Sequence, residues 1–86
     1  MSIAMTDFRG RVGARIRRAR LRKGLTQTEL ARRIDTADAQ ISRWENGRAF
    51  PSLGTLEAIA DALDVSIESF FVDPPGSGPH MQTLVG

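Results

Sequence analysis

Apolar side chains recur along this chain at three- and four-residue steps, and the breaks between the recurrences divide it into short helices. Phe8, Val12, Ile16 and Ala19 form the first stripe, with Asp7 placed to cap a helix running to about Lys23 and Gly24 placed to stop it. Leu30, Ala31 and Ile34 form a second, and Ala37, Ile41 and Trp44 a third. Leu53, Leu56, Ile59, Ala60 and Leu63 form a fourth, capped by Ser52 and ended by Asp64, though Gly54 weakens its first turn by ~1 kcal/mol relative to alanine. Ser66 caps a short fifth helix in which Val65 and Phe70 make a hydrophobic staple. The expectation is an all-α, compact five-helix domain over residues 7–71, with residues 1–6 as an N-terminal extension and 72–86 as a flexible tail or linker, since Pro, Gly and polar residues there follow no period.

The second and third helices carry the sharpest local signals. Thr26 and Glu29 are spaced as a T-x-x-E capping box, and Leu25 before the cap can close on Leu30 as a staple. Gln27, Arg32 and Arg33 then fall towards solvent. The pattern breaks at Asp35-Thr36, either of which can cap a new helix, and Asn46-Gly47 ends that helix by a left-handed exit. Two amphipathic helices across so short a break read as a helix-turn-helix. Asp38, Ala39, Gln40 and Arg43 remain outward on the second of them, short or polar side chains that suit a groove of base edges.

Charge sharpens this reading. Residues 1–50 hold all 12 Lys and Arg against five acids, a net of +7, while residues 51–86 hold no base and five acids, a net of −5. The formal net charge of +2 therefore hides a dipolar chain. A basic half of this kind suits a polyanion, and nucleic acid is favoured because neutralised phosphates release counterions.

Several function classes fall away. With no cysteine there is neither a disulfide staple nor a Cys-ligated zinc finger, and a reducing cytoplasmic compartment is compatible. No apolar run approaches the roughly 20 residues needed to span a bilayer. One histidine, His80 in the tail, no tyrosine, no paired carboxylates and no Gly-rich phosphate loop argue against an enzyme, a metal site or a cofactor. The arginine-rich first helix is also similar in pattern to a transit peptide or a membrane-surface helix. Detaching it, however, would strip Phe8, Val12 and Ile16 from the core that the other helices share.

The stretch from Val12 to Phe71 resembles the Cro/C1 or XRE-type helix-turn-helix family throughout. Its most specific pieces are GLTQTELA at Gly24 to Ala31, ISRWENG at Ile41 to Gly47, PSLGTLEAIADAL at Pro51 to Leu63, and the closing DVSIESFF. The resemblance implies a lambda-repressor-like five-helix bundle, usually dimeric on DNA, with the third helix in the major groove. Gln27 and Asn46 match positions that contact backbone phosphate, although a solvated first-turn residue and a helix C-cap are the plainer readings. Thr26, Arg48 and Arg17 are further phosphate candidates. Asp38, Ala39, Gln40 and Arg43 match positions that face bases, with Arg43 suited to guanine and Gln40 to adenine. Arg20 matches a basic position that pairs with the glutamate corresponding to Glu45. Asp38 is a departure from the common pattern: it can accept from cytosine N4, or simply favour the helix N-terminus. Ala39 can touch a thymine methyl or merely allow close approach, and Trp44 is a core anchor.

The expected partner is double-stranded DNA, held by a homodimer as a sequence-specific transcriptional regulator. Ile67, Phe70 and Phe71 form an apolar cluster that is the candidate dimer contact, with Phe70 expected inside and Phe71 or Ile67 at the interface. The alternative is an antitoxin or the N-terminal domain of a larger regulator, in which a protein partner governs specificity or control.

Overall fold

The computed structural model describes residues 2–72, with side chains from Phe8 onward. Four α-helices pack around one core: α1 (Ser2–Lys23), α2 (Gln27–Arg33), α3 (Asp38–Glu45) and α4 (Leu53–Leu63). A single 3-10 turn follows at Ile67–Phe70, where a fifth α-helix was expected. The reason lies in length and purpose. Four residues are too few to repay helix nucleation, and one tight turn already drives the fully buried Phe70 into the core, a burial worth about 1.5–3 kcal/mol. Ser66 sits at the head of this turn without a side-chain cap, its carbonyl accepting from the Ser69 amide at 3.1 Å and the Ser69 hydroxyl at 2.6 Å.

The core is assembled from every element: Val12 and Ile16 of α1, Leu30 and Ala31 of α2, Ile41 and Trp44 of α3, Leu56, Ile59, Ala60 and Leu63 of α4, Phe70 of the 3-10 turn, and Leu25 from the connection before α2. Phe8, Ala19, Ile34, Val65 and Ile67 pack around it half-buried. Three expectations are corrected. The helix α1 starts at Ser2, so Asp7 lies inside it and not at its head; residues 2–6 contain no glycine or proline to stop it. Ala37 is exposed because it is the N-cap of α3, outside the helical phase of Ile41 and Trp44. Leu53, the first residue of α4, is 68% exposed. His80 and the tail from residue 73 lie outside the described residues.

All four α-helices end in the same way. The residue directly after the helix in α1 and α4, or the one beyond the C-cap in α2 and α3, takes a left-handed conformation: Gly24 (φ 79°), Asp64 (φ 60°), Asp35 (φ 60°) and Gly47 (φ 73°). The next amide reaches back five residues in each case, Leu25 to Arg20, Thr36 to Ala31, Arg48 to Arg43 and Val65 to Ala60, at 2.9–3.1 Å. These are Schellman closures, and they turn the chain sharply enough for short helices to fold back on a common core. Asp35 therefore serves the turn through its backbone and does not cap α3.

Candidate nucleic-acid interface

The start of α2 is fixed by its capping box: the Glu29 amide donates to Thr26 Oγ1 at 3.0 Å, and the Thr26 amide donates to Glu29 Oε1 at 2.8 Å. That backbone hydrogen bond from Thr26, helped by the Thr26 side chain and by Arg33 and Arg32, holds the Glu29 carboxyl below its ordinary value.

Beneath this turn lies a buried charged pair. Arg20 and Glu45 are 7% and 6% exposed, and their contact is bidentate: Arg20 Nε donates to Glu45 Oε2 at 2.6 Å, and Nη2 to Oε1 at 3.0 Å. Arg20 Nη1 also donates to the Leu25 carbonyl at 2.8 Å. One guanidinium thus ties the end of α1, the entry to α2 and the end of α3. Gln27 joins the network, its Nε2 donating to Glu45 Oε1 at 3.0 Å. It is half-buried instead of facing solvent, because it shares a helical phase with Leu30 and Ala31. One N–H of its amide is committed to Glu45, and the same nitrogen carries a second donor.

On α3, steps of 100° per residue set Ile41, Trp44 and Glu45 inward and Ala39 and Arg43 at the centre of the opposite face. Both Ala39 and Arg43 are exposed. Gln40 is half-buried on one flank, while Asp38 and Ser42 occupy the flank beside α2. The expected base-facing set is therefore not one uniform surface: Ala39 and Arg43 lead, and Gln40 reaches out from the side. Two polar residues the pattern reading passed over belong to the same surface. Thr28 Oγ1 donates to Asp38 Oδ2 at 3.1 Å, and Asn46 Nδ2 donates to Ser42 Oγ at 3.3 Å. The signal for Ser42 was in the sequence, since it lies three and four residues after Ala39 and Asp38; nothing local flagged Thr28.

Asn46, Arg48 and Thr26 are exposed around this surface, Asn46 as the C-cap of α3 and Arg48 just after the left-handed Gly47. Arg17 is exposed and lines a shallow groove together with Glu45, which puts it on the α3 side of α1. Arg15 and Arg22 line a separate cleft with Leu63 and Val65 on the other flank, and Arg18 borders both. The basic residues of α1 are thus divided between two sides, and only some share a side with α3.

The structure presents an exposed helix-turn-helix with arginine at the centre of its second helix, and comparison with known proteins decides the family. Residues 16–70 match the helix-turn-helix family model HTH_3. This chain belongs to the Cro/C1-type helix-turn-helix family of transcriptional regulators. It is 45% identical over 73 residues to an uncharacterised transcriptional regulator in the ATPase CF(0) region of Rhodospirillum rubrum, covering 85% of this chain and 68% of that one. It is 40% identical over 60 residues to a helix-turn-helix-type regulator of Rickettsia conorii, covering 70% of this chain and 48% of that protein's length. Against such curated relatives the chain spans from about two thirds to less than half of their length. Among solved structures, the clp gene regulator ClgR of Corynebacterium glutamicum superposes with a TM-score of 0.74 at 29% identity, over 91% of this chain and 80% of that one. The family is one of DNA-binding transcriptional regulators and not typically of enzymes.

Of the residues proposed for a dimer contact, Phe70 is fully buried and so unavailable, because the 3-10 turn aims it inward. Ile67 is half-buried, and Phe71 is 36% exposed. Phe71 stacks on Phe8 with centroids 6.2 Å apart, and Phe8 meets Phe50 at 5.7 Å, giving a short aromatic row at one edge of the molecule. Among the described residues no helix is long and apolar enough to cross a membrane.

Proposed function

We propose that this regulator reads a roughly palindromic operator as a homodimer in the cytoplasm, with each α3 in a major groove and the two grooves about 34 Å apart. The observation that carries this is the face of α3: Ala39 and Arg43 exposed at its centre, Gln40 and Asp38 at its flanks, and the buried side locked to α1 by Arg20 and Glu45. Arg43 reads guanine, Gln40 adenine, Ala39 allows close approach or meets a thymine methyl, and Asp38 accepts from an amino group. Gln27, Asn46, Thr26, Arg48 and Arg17 hold phosphates and set register without reading sequence. The second N–H of Gln27 is aimed by its bond to Glu45, so the buried pair also orients a phosphate contact. Phe71, with Ile67, supplies the dimer contact.

Selection of binding sites from random duplex DNA tests this directly. The wild-type chain should enrich a two-fold site. Arg43→Ala should lose definition at one base pair per half-site, each good contact being worth ~1 to 3 kcal/mol of discrimination. Gln27→Ala should weaken all sites alike. An unchanged preference in Arg43→Ala would sink the assignment, and a changed one in Gln27→Ala would overturn the division between positioning and reading. A second reading, in which a protein partner or further domain supplies specificity or control, as for an antitoxin or a larger regulator, is favoured by the greater length of the Rickettsia relative. It predicts salt-sensitive binding by this chain with no enriched sequence.

A further inference from the structure

Thr28 and Asp38 lie ten residues apart, on α2 and in the first turn of α3, and meet through one bond from Thr28 Oγ1 to Asp38 Oδ2 of 3.1 Å. Both residues are exposed, so no crowding forces the contact. An aspartate in a first turn has easier choices: the free amides of its own helix, or water. The N-cap of α3 is Ala37, which has no side-chain cap to offer, yet the Asp38 carboxylate turns to the neighbouring helix.

We infer that Thr28 is a positioning residue for base selection, holding one oxygen of Asp38 so that the other faces the major groove as an acceptor and selects cytosine. This rests on the reading of α3 as the recognition helix. The chemistry follows from what the groove presents. A carboxylate is repelled by the acceptors of guanine, O6 and N7, and by O4 of thymine, while adenine offers its amino group only beside the N7 acceptor. Cytosine N4 is the one donor with no acceptor beside it on the major-groove edge of the same base. Left free beside phosphates, the carboxylate would swing away and the selectivity would be lost. Threonine prevents this because its branched Cβ restricts χ1, so α2 sets the direction of the hydroxyl, and a hydrogen bond to an ionised acceptor is among the stronger kinds. The second helix thereby edits what the third one reads.

The test is site selection with wild type, Thr28→Val, Thr28→Ser and Asp38→Asn, each shown by thermal melting to be folded. The wild type should show cytosine at one position per half-site. Thr28→Val keeps the shape of the side chain and removes its hydroxyl, and should reduce that cytosine preference roughly fivefold while leaving the other positions intact. Thr28→Ser should retain it, and Asp38→Asn should shift the position towards adenine. A defined wild-type site with the same preference in Thr28→Val overturns the inference alone. A wild type that selects no sequence overturns the recognition-helix reading and this inference with it.

Discussion

Arg20 and Glu45 make the same buried contact that stabilises many small domains only conditionally. Two charges removed from water cost several kcal/mol each, and the bidentate geometry plus the Leu25 carbonyl and Gln27 amide is what offsets that cost. Breaking the pair should therefore be far worse than never having made it. Arg20→Met is expected to lower stability by about 3–5 kcal/mol, because Glu45 would remain buried without its partner. Denaturant melts check this; a loss below about 1 kcal/mol would mean that water reaches Glu45 easily. From sequence, resemblance alone paired these two residues. Nothing in the spacing of residues 20 and 45 marks them as neighbours, and charged side chains are by default expected outside.

Between elements, one close approach is invisible to hydrophobic patterning. Gly13 is buried in the middle of α1, and a methyl group there would run into the carbonyl oxygens of Trp44 and Glu45 at the end of α3. A glycine inside a helix reads as a weakness worth ~1 kcal/mol. Here it is the clearance that lets α1 lie against the end of α3 and lets Arg20 reach Glu45. Gly10, in the same helix, has nothing within 4 Å of where its Cβ would be. The two sites therefore predict opposite results for one substitution. Gly10→Ala should raise stability by up to ~1 kcal/mol, a rise in Tm of about 4–8 °C in a domain of this size, whereas Gly13→Ala should lower it by about 1–3 kcal/mol through overpacking. Melting curves that moved in the same direction would refute the packing account.

At the scale of the whole molecule, basic charge is concentrated in α1 to α3 and acidic charge in α4 and the 3-10 turn, where Glu57, Asp61, Asp64 and Glu68 are all exposed. Such a molecule is oriented by the field of a duplex before it makes contact. Only the basic residues near α3 should count in the bound state. Arg48→Ala should make the dependence of log K on log salt shallower by about one, whereas Arg22→Ala, on the far flank of α1, should leave the slope unchanged. Equal effects of the two substitutions would show that the protein docks differently.

The sequence by itself determined those helix ends that are purely local: the capping box at Thr26 and Glu29, the Ser52 cap and the glycine stops at Gly24 and Gly47 depend on residues within one turn of each other, whereas Asp7, Asp35 and Ser66 provide no side-chain cap where the pattern places one. It also marked most of the apolar face of each helix, Ala37 and Leu53 excepted, and the exposed Asp38, Ala39 and Arg43 of α3, while Gln27 and Gln40, read as outward, are half-buried. What only the tertiary structure decided are the contacts between residues that no period relates. The hold of Thr28 on Asp38, the capture of Gln27 by Glu45 and the seat of Gly13 against α3 arise when separate helices are pressed together. The shortening of the last helix to a single 3-10 turn belongs there too, since burial of Phe70 sets the end of that segment and its own helix propensity does not. Local chemistry writes the elements, and packing chooses which of their polar side chains meet.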